Sequence, residues 1–322
     1  MDNPIVFFGT DEFSVIPLRW LLDEGFNVVA VVTKPDKQVG RGRKVRENPV
    51  VELYKKCVRF DDVSDENCIK NVYDLEKPVI LQPEKVKEII PFLQELKAKY
   101  ELPLVGVLAS FGKIVPYAVL EIFEPVGIVN IHPSLLPKYR GPTPIETAML
   151  NGDKTTGVSL MKLAPEMDAG GIFAQKHYEI TDDASKNELY DALARLGAEM
   201  LTKDLPKIAT GQITAMPQDE TEAAYTHLLT KEMSWLQPEK YTAVQIVDQI
   251  RAFQGFPKPK ININGITAII LAAHAADAPV EPAVTNFRAV DGRFVVIDTL
   301  LPENGKPMSA AAFANGLHER KA

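Results

Sequence analysis

PIVFFGTDEFSVIPLRWLLDEGFNVVAVVT, residues 4–33, holds an apolar run, a polar break at Gly9-Thr10, an amphipathic stretch and a second apolar run, VVAVVT. Strand, helix and strand within about thirty residues form a βαβ unit, which builds a parallel sheet through right-handed crossovers. Outward from this unit the pattern repeats. VKEIIPFLQELKAKY (86–100) predicts a helix, and LVGVLASFG (104–112) and GIVNIH (127–132) predict strands. PIETAMLNGD (144–153) predicts a helix and GVSLMKL (157–163) a further strand, followed by a helix over 186–211 that stops at Gly211. The expected fold class is α/β with a parallel-rich sheet.

Beyond that helix the character changes. QITAMPQDETEAAY (212–225) is polar, turn-rich and without a clear period, and it is expected to act as a linker. YTAVQIVDQIRAF (241–253) predicts a helix, and the Asn264-Gly265 and Asp291-Gly292 turns between apolar runs predict hairpins of a small β structure. The expected division is therefore 1–208, a linker at 209–224, and 225–322. A length of 322 residues agrees with two domains.

Composition excludes several classes. No apolar run approaches the ~20 residues needed to cross a bilayer, and Met1-Asp2-Asn3-Pro4 lacks the basic start of a secretory signal. A cytoplasmic, non-membrane protein, monomeric by default, is expected. Cys57 and Cys68 stand alone, and the five histidines form no H-E-x-x-H, so neither a disulfide framework nor a metal site is expected. Gly9 opens G-T-D-E-F, without the further glycines of a dinucleotide fingerprint, and Ser134 lies in no G-x-S-x-G elbow. A net charge of −7 argues against a general field for nucleic acid. Locally, KPDKQVGRGRKVR (34–46) sets Lys34, Lys37, Arg41, Arg43, Lys44 and Arg46 against the single Asp36. Such a run is either a solvated loop or a contact for a polyanion.

The candidate chemistry lies in VNIHPSLLPKYRGPTP, residues 129–144. In a strand Asn130 and His132 share one face, while Val129 and Ile131 take the other. Pro133 cannot continue a central strand, which puts the two polar residues at its carboxyl end, where open α/β sheets bind ligands. The break APEMDAGG (164–171) carries Asp168 on a loop ending in paired glycines. An Asp–His pair orients an imidazole and favours its charged form, and an asparagine amide can donate to a developing oxyanion, a set suited to acyl transfer. The same residues also fit a strand cap and a turn, and the pattern alone leaves both readings open.

Asn130-Ile131-His132, Ser134-Leu135-Leu136-Pro137, Arg140-Gly141, Gly157-Val158 and Met167-Asp168-Ala169-Gly170 together resemble the folate-dependent formyltransferases, in that order and spacing. The resemblance implies a Rossmann-like formyltransferase domain with Asn130, His132 and Asp168 as catalytic residues. It also implies 10-formyltetrahydrofolate as donor, no metal, and Ser134, Leu135, Leu136 and Pro137 against the folate. The basic loop resembles that of family members acting on initiator methionyl-tRNA, implying tRNA contacts from Arg41, Arg43 and Lys44. Ser234-Trp235, Ile250-Arg251-Ala252-Phe253 and Gly305-Lys306-Pro307-Met308 extend the resemblance to a small OB-like β-barrel domain that contacts tRNA. The rival within the family acts on an amino-sugar nucleotide with the same core. Phe111 and Tyr139 depart from the tyrosine and tryptophan more usual at those places, and no role is assigned to the acidic insertion at 54–77.

Overall fold

A computed structural model describes residues 1–39, 44–58 and 78–319. The chain divides into two compact units. The first comprises 1–141, 156–178 and 190–225, and the second 142–155, 179–189 and 226–322.

Unit 1 is built on a seven-stranded sheet. Its members in chain order are β1 (Ile5–Gly9), β2 (Val28–Val32), β5 (Val79–Leu81), β6 (Val105–Ala109), β7 (Ile128–His132), β8 (Thr155–Lys162) and β9 (Ile172–Glu179). A separate antiparallel pair, β3 (Lys37–Val39) and β4 (Lys44–Arg46), lies within the basic segment. The sheet order is β5-β2-β1-β6-β7-β8-β9. β5, β2, β1, β6 and β7 run parallel to one another, and β8 pairs with β7 antiparallel, so the sheet is mixed. The order reverses between β1 and β6, the switch point at which the carboxyl ends of such strands leave a crevice.

The helices follow local rules. Asp11 caps α1 (Glu12–Asp23), its carboxylate accepting from the amides of Phe13 and Ser14. α2 spans Pro49–Val58. α3 (Ile90–Lys99) has Pro91 in its first turn, where the missing N–H would have had no partner. α4 is the single turn Tyr117–Leu120, and α6 runs over Lys186–Ala209. Helix residues Leu93, Leu96 and Val119 pack with Val6, Phe8, Val32, Leu108 and Ile128 in one core, and Phe8 makes edge contacts with Phe111 and Phe123. Phe111 is buried in this packing, so a ring without a hydroxyl suits its position.

Residues 212–225, expected to link two domains, instead belong to unit 1 and are laced to it. Ile172 and Met216 exchange backbone hydrogen bonds of 2.7 and 2.9 Å, and Arg140 bridges to Tyr225. The sequence shows no period here because the segment is irregular and held by side chains.

Unit 2 holds α5 (Pro144–Leu150), α7 (Ala243–Ala252), β10 (Lys260–Ile263), β11 (Ile266–Ala276), β12 (Asn286–Arg288), β13 (Phe294–Pro302), β14 (Met308–Ser309) and α8 (Ala310–Glu319). The strands form an antiparallel sheet, β10-β11-β13-β12, with β14 on β13. Asn264 and Gly265, both at positive φ, make the β10–β11 turn that Asn-Gly predicts. Thr242 and Gln245 form a capping box on α7, whose Ile246 and Ile250 meet Ile270, Ile297, Leu300 and Phe313 in a second core. Glu146 on α5 and Lys186 form a buried ion pair at 3.6 Å.

Candidate active site

β7 decides where chemistry can occur. Its neighbours β6 and β8 cover both edges, so all five residues are buried. Side chains alternate: Ile128 joins the core beneath α3 and α4, while Ile131, on the opposite face, lies against Gly197 of α6. Asn130 and His132 continue the face of Ile128, but at the strand end, with 6% and 4% exposure. The Asn130 side chain makes no hydrogen bond with another described residue. Pro133 follows His132 and ends the strand, as expected from its missing N–H.

His132 is held from both ring nitrogens. Nε2 lies 2.9 Å from the backbone oxygen of Tyr139, and Nδ1 lies 3.7 Å from Oδ2 of Asp168. A carbonyl only accepts, so Nε2 carries the hydrogen and Nδ1 is turned toward Asp168. At 3.7 Å that second contact is too long for a direct hydrogen bond. Oδ2 of Asp168 accepts from the Gly141 amide at 2.8 Å, which fixes the carboxylate.

The loops around this centre bend sharply. Ser110, Tyr139 and Asp168 have φ of 44°, 64° and 50°, a region sparse for residues other than glycine. Ser110 directly follows β6, while Tyr139 and Asp168 lie in the loops after β7 and β8, so the uncommon backbone falls in the loops that carry the candidate groups. Gly170 is needed for close approach: a Cβ there would fall 1.8 Å from the Lys162 carbonyl oxygen.

The Ser134–Pro137 segment is pinned from the sheet. Ser159 Oγ donates to Ser134 O at 2.6 Å and accepts from Leu136 N at 3.0 Å, while Gln175 donates to Leu136 O at 2.8 Å. The Ser134 hydroxyl, fully buried, donates to Lys138 O at 2.6 Å. Ser134 and Leu136 thus shape the turn from within, leaving Leu135 and Pro137 half-buried. Leu135 sits against Gly157, where any Cβ would clash at 2.5 Å.

Two features escape a reading of the sequence. Asp11, at the end of β1, accepts from Ser110, and burial pushes its carboxyl above the ordinary value while those hydrogen bonds oppose the rise. Gln218 ties the Asp168 loop to Arg140 across the turn-rich segment. A capping aspartate after a strand signals the first, but no local pattern signals the second. Arg41 and Arg43 lie outside the described residues, as does most of the insertion, and Lys44 is placed only as a residue of β4. Among the described residues, no group of three His, Cys, Asp or Glu could hold a metal ion. No helix among them is long and apolar enough to cross a membrane.

Asn130 and His132 end β7, and the loop after β8 brings the Asp168 carboxylate to 3.7 Å from His132, a set of groups chemically suited to acyl transfer. Residues 4–205 match the family described as formyl transferase. The methionyl-tRNA formyltransferase of Chloroflexus aggregans is 36% identical over 330 residues, covering 98% of this chain and 97% of that one. Its counterpart from Caldanaerobacter subterraneus subsp. tengcongensis is 42% identical over 258 residues, covering 79% and 74%. The chain belongs to the methionyl-tRNA formyltransferase family. Among solved structures, the sugar 3N-formyl transferase WlaRD has a TM-score of 0.61 at 20% identity, covering 92% of this chain and 97% of that one. HypX from Aquifex aeolicus in complex with tetrahydrofolic acid has a TM-score of 0.60 at 14% identity, covering 96% and 46%. Both likenesses are of fold.

Proposed function

We infer that this enzyme moves the formyl group of 10-formyltetrahydrofolate to the α-amino group of methionine on initiator methionyl-tRNA. The observation that carries this reading is the Asn130–His132–Asp168 arrangement, in a chain collinear with methionyl-tRNA formyltransferases over nearly its full length. A free α-amino group has a pKa near ~8, so the neutral amine is accessible near physiological pH. Its nitrogen attacks the formyl carbon, giving a tetrahedral intermediate. The N10–carbon bond then breaks, N10 gains a proton and tetrahydrofolate leaves. Asn130 donates to the formyl oxygen as it becomes negative, and His132 passes the proton or stabilises the oxyanion. Asp168 orients the ring and balances its charge. Leu135 and Pro137, with the backbone of their turn, form the wall against the folate, and Ser134 and Leu136 set the shape of that wall.

Arg41, Arg43 and Lys44 are assigned to the acceptor end of the tRNA as phosphate-binding side chains. The antiparallel sheet of unit 2 is assigned to an OB-like barrel within 225–322 that also meets tRNA. The protein is taken to act as a cytoplasmic monomer. The test supplies 10-formyltetrahydrofolate with either methionyl-tRNA or an amino-sugar nucleotide and assays each acceptor by mass spectrometry. Formylmethionyl-tRNA with release of tetrahydrofolate is expected; a formylated sugar alone would move the enzyme to the other branch.

A further inference from the structure

Residues 216–225 hold the two loops that build the site, and their bonds converge on one amide. Gln218 Nε2 donates to the carbonyl oxygens of Asp168 and Gly170, each at 2.7 Å. Its Oε1 accepts from Arg140 Nε at 3.0 Å and from Nη2 at 2.9 Å. Arg140 is fully buried, and its remaining donors reach Glu220 at 2.9 and 2.7 Å and the Tyr225 hydroxyl at 3.0 Å. Backbone bonds from Arg140 N to Ala224 O and from Ala224 N to Pro137 O, 2.8 and 3.1 Å, secure the same turn. Arg140 stands between Tyr139, whose carbonyl holds His132, and Gly141, whose amide holds Asp168. Gln218 therefore ties the backbone of the Asp168 loop, through its nitrogen, to the guanidinium of Arg140, through its oxygen, and Arg140 lies in the turn whose backbone holds His132 and Asp168.

We propose that Gln218 is a positioning residue of the formyl-transfer site, and that segment 216–225 is a strap setting the separation of His132 and Asp168. The proposal rests on the reading of those two residues as catalytic. The amide is fully used, with two acceptances and two donations, so no other side chain of its size reproduces it. Glutamate keeps the acceptor for Arg140 but turns a carboxylate oxygen toward two carbonyls, which forces the Asp168 loop away. Displacement of a catalytic group by about 1 Å is enough to cost on the order of a hundredfold in rate.

Gln218→Glu is expected to lower kcat by about 10- to 100-fold while leaving KM for 10-formyltetrahydrofolate and for methionyl-tRNA within about threefold. Hydrogen exchange at the Gly141 amide should speed up, and thermal unfolding should stay close to that of the parent. A kcat within about twofold of the parent, or a loss confined to KM, would overturn the proposal. If Gln218→Glu is too unstable to assay, Glu220→Gln takes its place, since that side chain is largely exposed and its amide still accepts from Arg140. A several-fold fall in kcat, measured where a thermal melt shows the variant still folded, supports the strap, and an unchanged kcat overturns it. Asp168→Asn, run alongside, separates the strap from the catalytic assignment beneath it. Full turnover there would remove the catalytic reading itself, whereas an impaired Asp168→Asn beside an untouched Gln218→Glu would remove only the strap.

Discussion

Asn130 and His132 differ in how much of their chemistry is already committed. The histidine gives its Nε2 hydrogen to Tyr139 and turns Nδ1 to Asp168, whereas the asparagine amide makes no hydrogen bond with another described residue. Asn130→Ala should therefore lower kcat by about two to three orders of magnitude, as loss of one oxyanion donor does, with little change in unfolding temperature. Steady-state kinetics beside a thermal melt checks both parts, and turnover near that of the parent would remove the oxyanion role. Placement of this pair was legible in the sequence because strand alternation and a terminal proline are local rules. The partners of the pair were not. The Tyr139 carbonyl and Gly141 amide are backbone groups with no residue-type signature, and the turns that aim them need positive φ at Tyr139 and Asp168. The Ser134 hydroxyl is likewise committed within the chain, buried and donating to the Lys138 carbonyl.

At the level of elements, β1, β2, β6 and β7 announced themselves as short apolar runs, since their residues are buried on both faces of the sheet, whereas the edge strand β5 did not. β9 gave no such signal because half of its residues are exposed, and IFAQKHYE reads as mixed polarity. The strap shows no period because its side chains, rather than a regular element, carry its structure. Two measurements address these pieces. Gly170→Ala should destabilise by about 1–3 kcal/mol or more, because the new methyl meets the backbone of Lys162 rather than a movable side chain. Denaturant titration of the variant gives the value, and an unchanged midpoint would refute the close approach. The second concerns acid. The Arg140 hydrogen bond holds the Glu220 carboxyl below its ordinary value of 4.5. A carboxylate depressed in the folded state contributes stability above its unfolded pKa and loses it as pH falls through the folded value. Glu220→Gln should thus cost stability at neutral pH and progressively less as pH drops from about 4.5 downward. Parallel denaturation curves at pH 7 and pH 3 would detect that convergence, and a constant offset would count against it.

For the molecule as a whole, net charge of −7 and a local basic run pull in opposite directions toward a polyanionic substrate. Replacing Arg41 and Arg43 together by alanine should raise KM for tRNA and flatten its dependence on salt by about one to two units of log–log slope. Folate affinity should not move; an unaltered salt slope would dissociate the loop from tRNA. The change of pattern after residue 211 does not reveal which unit owns which segment. The chain passes between its units repeatedly, and 142–155 and 179–189 belong with 226–322 rather than with their sequence neighbours. Helix α5 meets α7, a contact between residues a hundred positions apart that no local period encodes. Truncation would bring this shared ownership into the open. A chain ended at residue 208 would retain Asn130, His132 and Asp168 yet discard Met216, Gln218, Glu220 and Ala224, which bond the loops on either side of the His132–Asp168 contact. A chain ended at Tyr225 would keep those bonds but lose α7 from α5, so the length that carries the candidate groups and the length that carries their surroundings are, in this protein, different quantities.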